Sequence, residues 1–364
     1  MFRRYLSTIV GAALLTVPTL AWAQVTPAKG STPPDDSQSV KFGVTIFYDY
    51  TFTKSPKAKD SDGNEISANS FNVSRTYVNF TGNLSHLVSF RITPDIARET
   101  GTGSSLNGSY DVRLKYGFAQ FNLDDWMTKG SWIRVGLQQT PIIDYLEGNY
   151  RYRFQGGVLV DREGVLSSSD SGVSYHANFA KNYGDLHVGI FNGEGYTKPE
   201  ANNRKAFQIR GTLRPFAGGS PVARGLRLTG FYDADSYVKD GDKTRALFNA
   251  VFEHTHLNAG VDYVSAKDQA SATGALVKSS GYSVWVTPFF KTKGDGFEGL
   301  LRFDGYKPDR NVDALRKRAI VGLAYWFPHP GGGATAAMLL DYEQQTFPGT
   351  VKQQRIAVHG LINF

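Results

Sequence analysis

The side chains best placed to do chemistry in this chain are cations. Arg75, Arg91, Arg113, Lys115 and Arg134 recur at alternating places in neighbouring strand-like segments. A second group, Arg151, Arg153 and Arg162, shares the stretch Pro141 to Asp170 with Asp144, Glu147, Asp161 and Glu163. Set around a passage, rings of Arg and Lys favour anions, and a basic wall facing acids creates a transverse field that orients dipolar solutes. Catalytic alternatives lack a constellation. His176, His187, His254, His256 and His359 have no metal-ligand spacing with acids, and neither a G-x-S-x-G nor a phosphate-binding glycine loop occurs. Asp60, Asp62 and Asn64 begin like a calcium loop, but Gly63 is misplaced and the bidentate Glu is missing, so the segment reads as a surface turn. Cys is absent, which removes thiolate ligands and a cysteine nucleophile. The formal charge of +7 over 364 residues carries no Lys/Arg run that would mark a nucleic-acid patch. No enzyme activity, cofactor, metal or nucleic-acid partner is therefore expected.

What must position these cations is a set of strands. The chain has 5 Trp, 19 Tyr, 24 Phe and 39 Gly, a composition of strands and turns. From Val40 onward apolar residues recur at every second place, as in Phe42, Val44, Ile46, Tyr48, Tyr50 and Phe52 against Lys41, Gly43, Thr45, Asp49 and Thr51. Sixteen such segments lie near residues 40–53, 70–82, 86–97, 109–123, 131–140, 171–181, 184–193, 204–215, 225–235, 244–254, 257–266, 278–290, 296–306, 317–327, 334–345 and 351–364. Tight joints such as "NLSH", "KNYG", "HTHL", "KTKGDG" and "PHPGGG" take turns with long polar ones such as "KSPKAKDSDGNEISAN", "RETGTGSSLNG" and "SAKDQASATGALVK". A soluble sandwich has no reason to keep that rhythm. Outer-membrane barrels do, with short periplasmic turns, long outer loops and strands of about ten residues. The expected fold is all-β: a 16-stranded antiparallel transmembrane β-barrel over residues 40–364.

The two ends of the chain agree. Arg3 and Arg4, an apolar run and Ala21-Trp22-Ala23 read as an export signal over residues 1–23, cleaved after Ala23. Residues 24–39, rich in Pro and Ser, read as a flexible periplasmic lead-in. The last segment keeps Ile356, Val358, Gly360, Ile362 and Phe364 in phase and resembles the terminal strand that outer-membrane proteins present to the barrel-assembly machinery, with Phe364 as the signal. The expected location is the outer membrane of a Gram-negative bacterium, in contact with its lipid and lipopolysaccharide.

The stretches "FNVSRTYVNFTGNL", "SFRITPDIA", "LKYGFAQFNL", "WIRVGLQQTPI" and "VGIFNGEGY" resemble the phosphate-selective porin O/P family across most of residues 70–215. The resemblance implies a porin, with a homotrimer as the family's usual assembly. Gln139 stands where that family often has Lys before Thr140-Pro141, so phosphate selectivity does not carry over with the motif.

In an outward-apolar phase, Arg75, Arg91, Arg113, Lys115 and Arg134 point inward from adjacent strands and form a basic wall roughly 20 Å wide. Inward acids gather later, at Asp233, Glu253, Asp262, Glu298, Asp304, Asp341 and Glu343, with seven Arg among them. Inward small residues, among them Gly43, Gly117, Gly136, Gly260 and Gly322, leave space. The longest outer connection, Pro141 to Asp170, is too apolar for water: Ile142, Ile143, Tyr145, Leu146, Phe154, Val158 and Leu159 need burial that only a barrel interior offers. It is expected to fold inward beside the basic wall, so that Arg134 with Arg151, Arg153 or Arg162 makes the narrowest part. The function this implies is passive diffusion of small hydrophilic solutes with a preference for anions, phosphate among them. The alternative is a non-conducting structural or adhesive barrel.

Overall fold

Period-two alternation gives each segment one apolar and one polar face, and a sheet of such segments has unpaired edges until it closes on itself. Closure is what the computed structural model shows over residues 36–101, 103–328 and 334–364, the residues it describes. The first eight strands are β1 (Ser39–Ser55), β2 (Asn69–Asn83), β3 (Val88–Arg98), β4 (Tyr110–Asn122), β5 (Trp132–Gln139), β6 (Ser169–Asn178), β7 (Gly184–Phe191) and β8 (Ala206–Leu213). The second eight are β9 (Leu226–Asp235), β10 (Lys243–Glu253), β11 (Leu257–Asp268), β12 (Val277–Pro288), β13 (Gly296–Lys307), β14 (Arg316–Trp326), β15 (Thr335–Thr346) and β16 (Gln353–Asn363). Each pairs antiparallel with its neighbours in sequence, and β1 closes the barrel on β16, with Thr45 opposite Asn363 and Thr53 opposite Arg355. Ser39, where the first strand begins, and Phe364 lie at the same end of the barrel. The expected signal segment and most of the lead-in fall outside the described residues.

The phase agrees with the alternation. Val321, Leu323 and Leu340 stand outward and exposed, Leu323 directly opposite Leu340. Thr45, Ile320 and Ala324 are buried on the inner face. Among the described residues no helix is long and apolar enough to cross a membrane. An apolar exterior on a closed sheet whose backbone groups are all paired is the one strand-based solution to hydrocarbon surroundings. Aromatic rings mark both rims: Phe297, Tyr325 and Phe327 stack edge-on at the end that carries Phe364, at 4.9 and 5.1 Å, and Tyr50 meets Phe71 at 4.6 Å at the other.

Two expectations need correction. Opposite Pro94, which has no N–H to give the ladder, the β3–β4 register slips between Thr93 and Pro94. The bulge turns both Lys115 and Tyr116 inward and moves Gly117 to the outer face, so Gly117 does not widen the lumen. The short/long rhythm belongs mainly to the first half of the chain. Residues 214–225 make a long joint on the short-turn end, whereas residues 236–242 and 347–352 are brief on the other.

Candidate pore constriction

Residues 140–168, between β5 and β6, fold into the lumen as the apolar content demanded. Helix α1 (Ile143–Tyr150) buries Ile143, Leu146 and Tyr150, spaced for one helical face, and α2 (Leu159–Arg162) buries Leu159 and Val160. Tyr150, Tyr152 and Phe154 pack against Trp285 and Trp326 of the far wall, with ring centroids 5.7 to 6.0 Å apart. Arg151 ends α1 in the left-handed region, φ 70°, and donates its backbone N–H to the Glu147 carbonyl. A β-carbon on Gly156 would run into the Arg162 guanidinium, and one on Gly157 into the Asp161 carboxylate.

Charge holds the loop at both walls. On the basic side Asp144 accepts a hydrogen bond from the Tyr116 hydroxyl, 3.3 Å, and Lys115 donates to the Ser168 hydroxyl at 2.9 Å. Burial pushes the Asp144 carboxyl up to about 6 against the opposing pull of Arg91, Lys115 and Arg134. On the acidic side Arg151 reaches Glu298 at 3.2 Å and Tyr152 donates to the same carboxylate at 2.8 Å. Gln155 donates to Asp341 and Glu343 at 2.8 and 2.9 Å, and Arg162 lies 3.5 Å from Glu343. The loop is thus stapled across the lumen rather than laid along strands two to five alone.

The eight expected site residues divide accordingly. Arg91 is enclosed by Thr93, Asn79 and the Tyr116 ring, and Arg134 by Gln120, Gln139 and the Trp132 ring 3.8 Å away. Arg91 and Arg134 are each 2% exposed and Arg151 and Lys115 4%, so their guanidinium and ammonium groups act from within the packing. Placing Arg134 beside Arg151 or Arg162 at one narrowing does not match their positions, because Arg151 and Arg162 reach toward the acidic wall. Arg75, Arg113 and Arg153 are the expected cations whose side chains stay partly open, at 21%, 39% and 16%.

Arg75 and Arg153 line one cavity of the lumen, and Arg113 shares a carboxylate with Arg75. Arg75 and Arg113 both bind one oxygen of the buried Asp95, at 2.7 and 3.0 Å. Tyr196, from the outer connection 192–205, donates to that oxygen at 3.4 Å, and Arg113 and Lys115 lie over its ring at 5.1 and 5.0 Å. From the loop, Arg153 pairs with Glu147 at 2.7 Å and Asp161 at 3.6 Å. Burial pushes the Glu147 carboxyl up to about 7, with Arg153 and Lys115 pulling down and Asp161 and Asp144 adding to the rise. A cavity of about 310 Å³ is lined by Asp161, Tyr196, Lys198, Gln208, Asp233, Lys243 and others. A second of about 230 Å³ is lined by Arg75, Arg153, Asp49 and Arg355 among others. The Arg153–Asp161 pair stands between them. Asp95 and Tyr196 went unread in the sequence; Tyr196 ends the stretch "VGIFNGEGY", and its position in a loop gave no period to read.

Among the described residues no group of His, Asp or Glu could hold a metal ion. Asp60 accepts the backbone N–H groups of Asp62 and Asn64 and so serves its surface turn. His254 and His256 sit in the tight 254–256 joint between β10 and β11.

No family model and no curated protein matches the chain. Solved structures do match in shape. OmpF of Salmonella typhi in complex with daunomycin has a TM-score of 0.62 at 11% identity, covering 90% of this chain and 98% of that one. An anion-selective porin from Comamonas acidovorans has a TM-score of 0.58 at 11% identity, covering 90% and 99%. The trimer form of OmpT, an outer membrane protein of Vibrio cholerae, gives 0.56 at 12% identity, covering 90% and 100%. At these identities the likeness is one of fold: this chain adopts the sixteen-stranded barrel of outer-membrane porins.

Proposed function

We propose that the chain is an outer-membrane porin, exported by cleavage after Ala23, that lets small hydrophilic solutes diffuse with a modest preference for anions. The observation that carries this is the sharing of Asp95 by Arg75 and Arg113, which leaves one positive charge in excess, with Lys115 adding a second beside the Tyr196 ring. Arg153 is offset by Glu147 and Asp161 on the facing loop, so the net excess is small and the field is transverse. That arrangement suits weak selection by charge sign better than a dedicated phosphate site, which would present several cations free of carboxylates. The trimeric neighbour supports a homotrimer as the assembly.

The test is solute flux into liposomes holding the purified protein. Small sugars and monocarboxylates should enter, with carboxylates faster than organic cations of equal size. Absence of sugar entry would favour a non-conducting barrel.

A further inference from the structure

The outer surface at the long-loop end is not uniform. Four lysines occupy the outward register at the ends of four adjacent strands. Lys267 of β11 lies directly opposite Lys278 of β12; Lys307 of β13 lies opposite Ser280, and Lys317 of β14 opposite Gly305. Their neighbours Ala266, Ser279, Asp304 and Tyr306 are buried on the inner side, which fixes the phase. Arg310, from the 308–315 connection, joins them. Its backbone N–H donates to the Lys278 carbonyl at 2.7 Å, and its guanidinium reaches across β12 to the Ser265 hydroxyl at 2.8 Å and the Tyr263 hydroxyl at 3.5 Å. Directly below, Tyr263 and Tyr282 face each other in register, and Tyr282 meets Phe303 at 6.1 Å, all three outward and exposed.

Among the described residues none of these five cations forms a salt bridge. Asp268 is held inward by Arg245, and Asp304 by Arg302. The acids of the adjoining connection, Asp309 and Asp313, leave the five unpaired; Asp309 accepts the Asn311 N–H instead.

We infer that the outer ends of β11–β14 form a binding surface for a phosphorylated glycolipid of the outer leaflet. The band lies outside the barrel, so solutes in the lumen do not meet it. It sits just above an aromatic strip, at the depth where a girdle marks the border of hydrocarbon and headgroups. Four strands span roughly 15 Å, enough for more than one phosphate. A lysine places a point charge, and Arg310 with two hydroxyls places a directed fork. A second copy of the chain fits less well, because acids of the barrel strands lie in the inward register and offer no outward partner. The inference rests on the outer-membrane reading but not on anion preference, so solute flux and lipid binding fail separately.

The test uses the full mature chain in detergent, titrated with bis-phosphorylated lipid A, with retained lipid counted by native mass spectrometry. The K267Q/K278Q/K307Q/R310Q/K317Q variant should retain lipid A roughly tenfold or more weakly than the wild type. The wild type should retain dephosphorylated lipid A and phosphatidylglycerol as poorly, and inorganic phosphate should not displace the lipid. Lys278→Gln and Lys317→Gln alone, checked for a folded barrel by circular dichroism, supply the readout should the fivefold change prevent folding; each should weaken retention severalfold. Equal retention by folded variants, or equal retention of dephosphorylated lipid, would overturn the proposal. Phosphatidylglycerol bound as tightly as lipid A would do the same for the glycolipid.

Discussion

Removing Glu298 should release the loop that crosses the lumen. Its carboxylate is fully buried and is used by Arg151 at 3.2 Å, by the Tyr152 hydroxyl at 2.8 Å and by the Gly294 N–H at 2.6 Å. Arg151, itself buried, lies over the Trp326 ring at 4.4 Å and the Phe289 ring at 5.5 Å. Glu298→Ala therefore strands a buried guanidinium, a class of change that costs about 3 to 5 kcal/mol. Most of that cost can be relieved by letting residues 151–157 leave the wall, since the strands themselves keep their backbone ladder. The assay is single-channel recording in a planar bilayer together with limited proteolysis from the long-loop side. Larger conductance, more open-channel noise and cleavage near Arg153 are the expected outcome. Arg151→Met with Glu298→Met removes both charges and should recover much of the wild-type behaviour, because no charge is left unpaired. Unchanged conductance in a protease-resistant Glu298→Ala barrel would refute the idea that this pair holds the loop.

Other outcomes follow from the same geometry. Leu323→Arg, on the outward face opposite Leu340, should cost about 2 to 4 kcal/mol if Leu323 lies near the bilayer midplane, read as a lowered midpoint of urea unfolding in lipid. Glu147, with a carboxyl pushed up to about 7 mainly by burial, is neutral below that pH and charged above it. Anion preference should rise as pH falls through about 7, and Glu147→Gln should flatten the dependence; persistence of the full pH effect in that variant would assign it elsewhere. Because this carboxyl ionises at lower pH in the unfolded chain, its linkage lowers stability as pH rises from about 4.5 toward 7. Neutralising Arg75, Arg113 and Arg153 together should move the zero-current potential toward cations, whereas Arg134→Gln should chiefly destabilise the β4–β5 wall.

Most of the barrel was legible in the sequence because its physical cause is local. Hydrocarbon outside and side chains inside impose a strict alternation, and it located all sixteen strands to within about three residues. The burial of Ile142, Ile143, Leu146, Phe154, Val158 and Leu159 was likewise readable, since an apolar loop has only the lumen to enter. What alternation cannot express is a slip in register. The bulge opposite Pro94 moved Gly117 outward and doubled the inward residues at Lys115 and Tyr116. Nor can it say which inward charges meet each other. Arg91 and Arg134 sit at the same period as Arg75 and Arg113, yet neighbouring rings enclose the first two, while the second two share Asp95 beside open space. That difference depends on residues far apart in the chain, Tyr196 and Asp144 among them.

The zero-current potential of the wild-type protein in a bilayer under a potassium chloride gradient would show whether the lumen conducts with a small positive excess. Discrete channels are expected, with a potential of the sign of chloride moving down its gradient, modest in size and larger at pH 6 than at pH 8, the interval that spans the Glu147 value of about 7. A potential of cation sign at both pH values, or a folded barrel that passes no current, would contradict it.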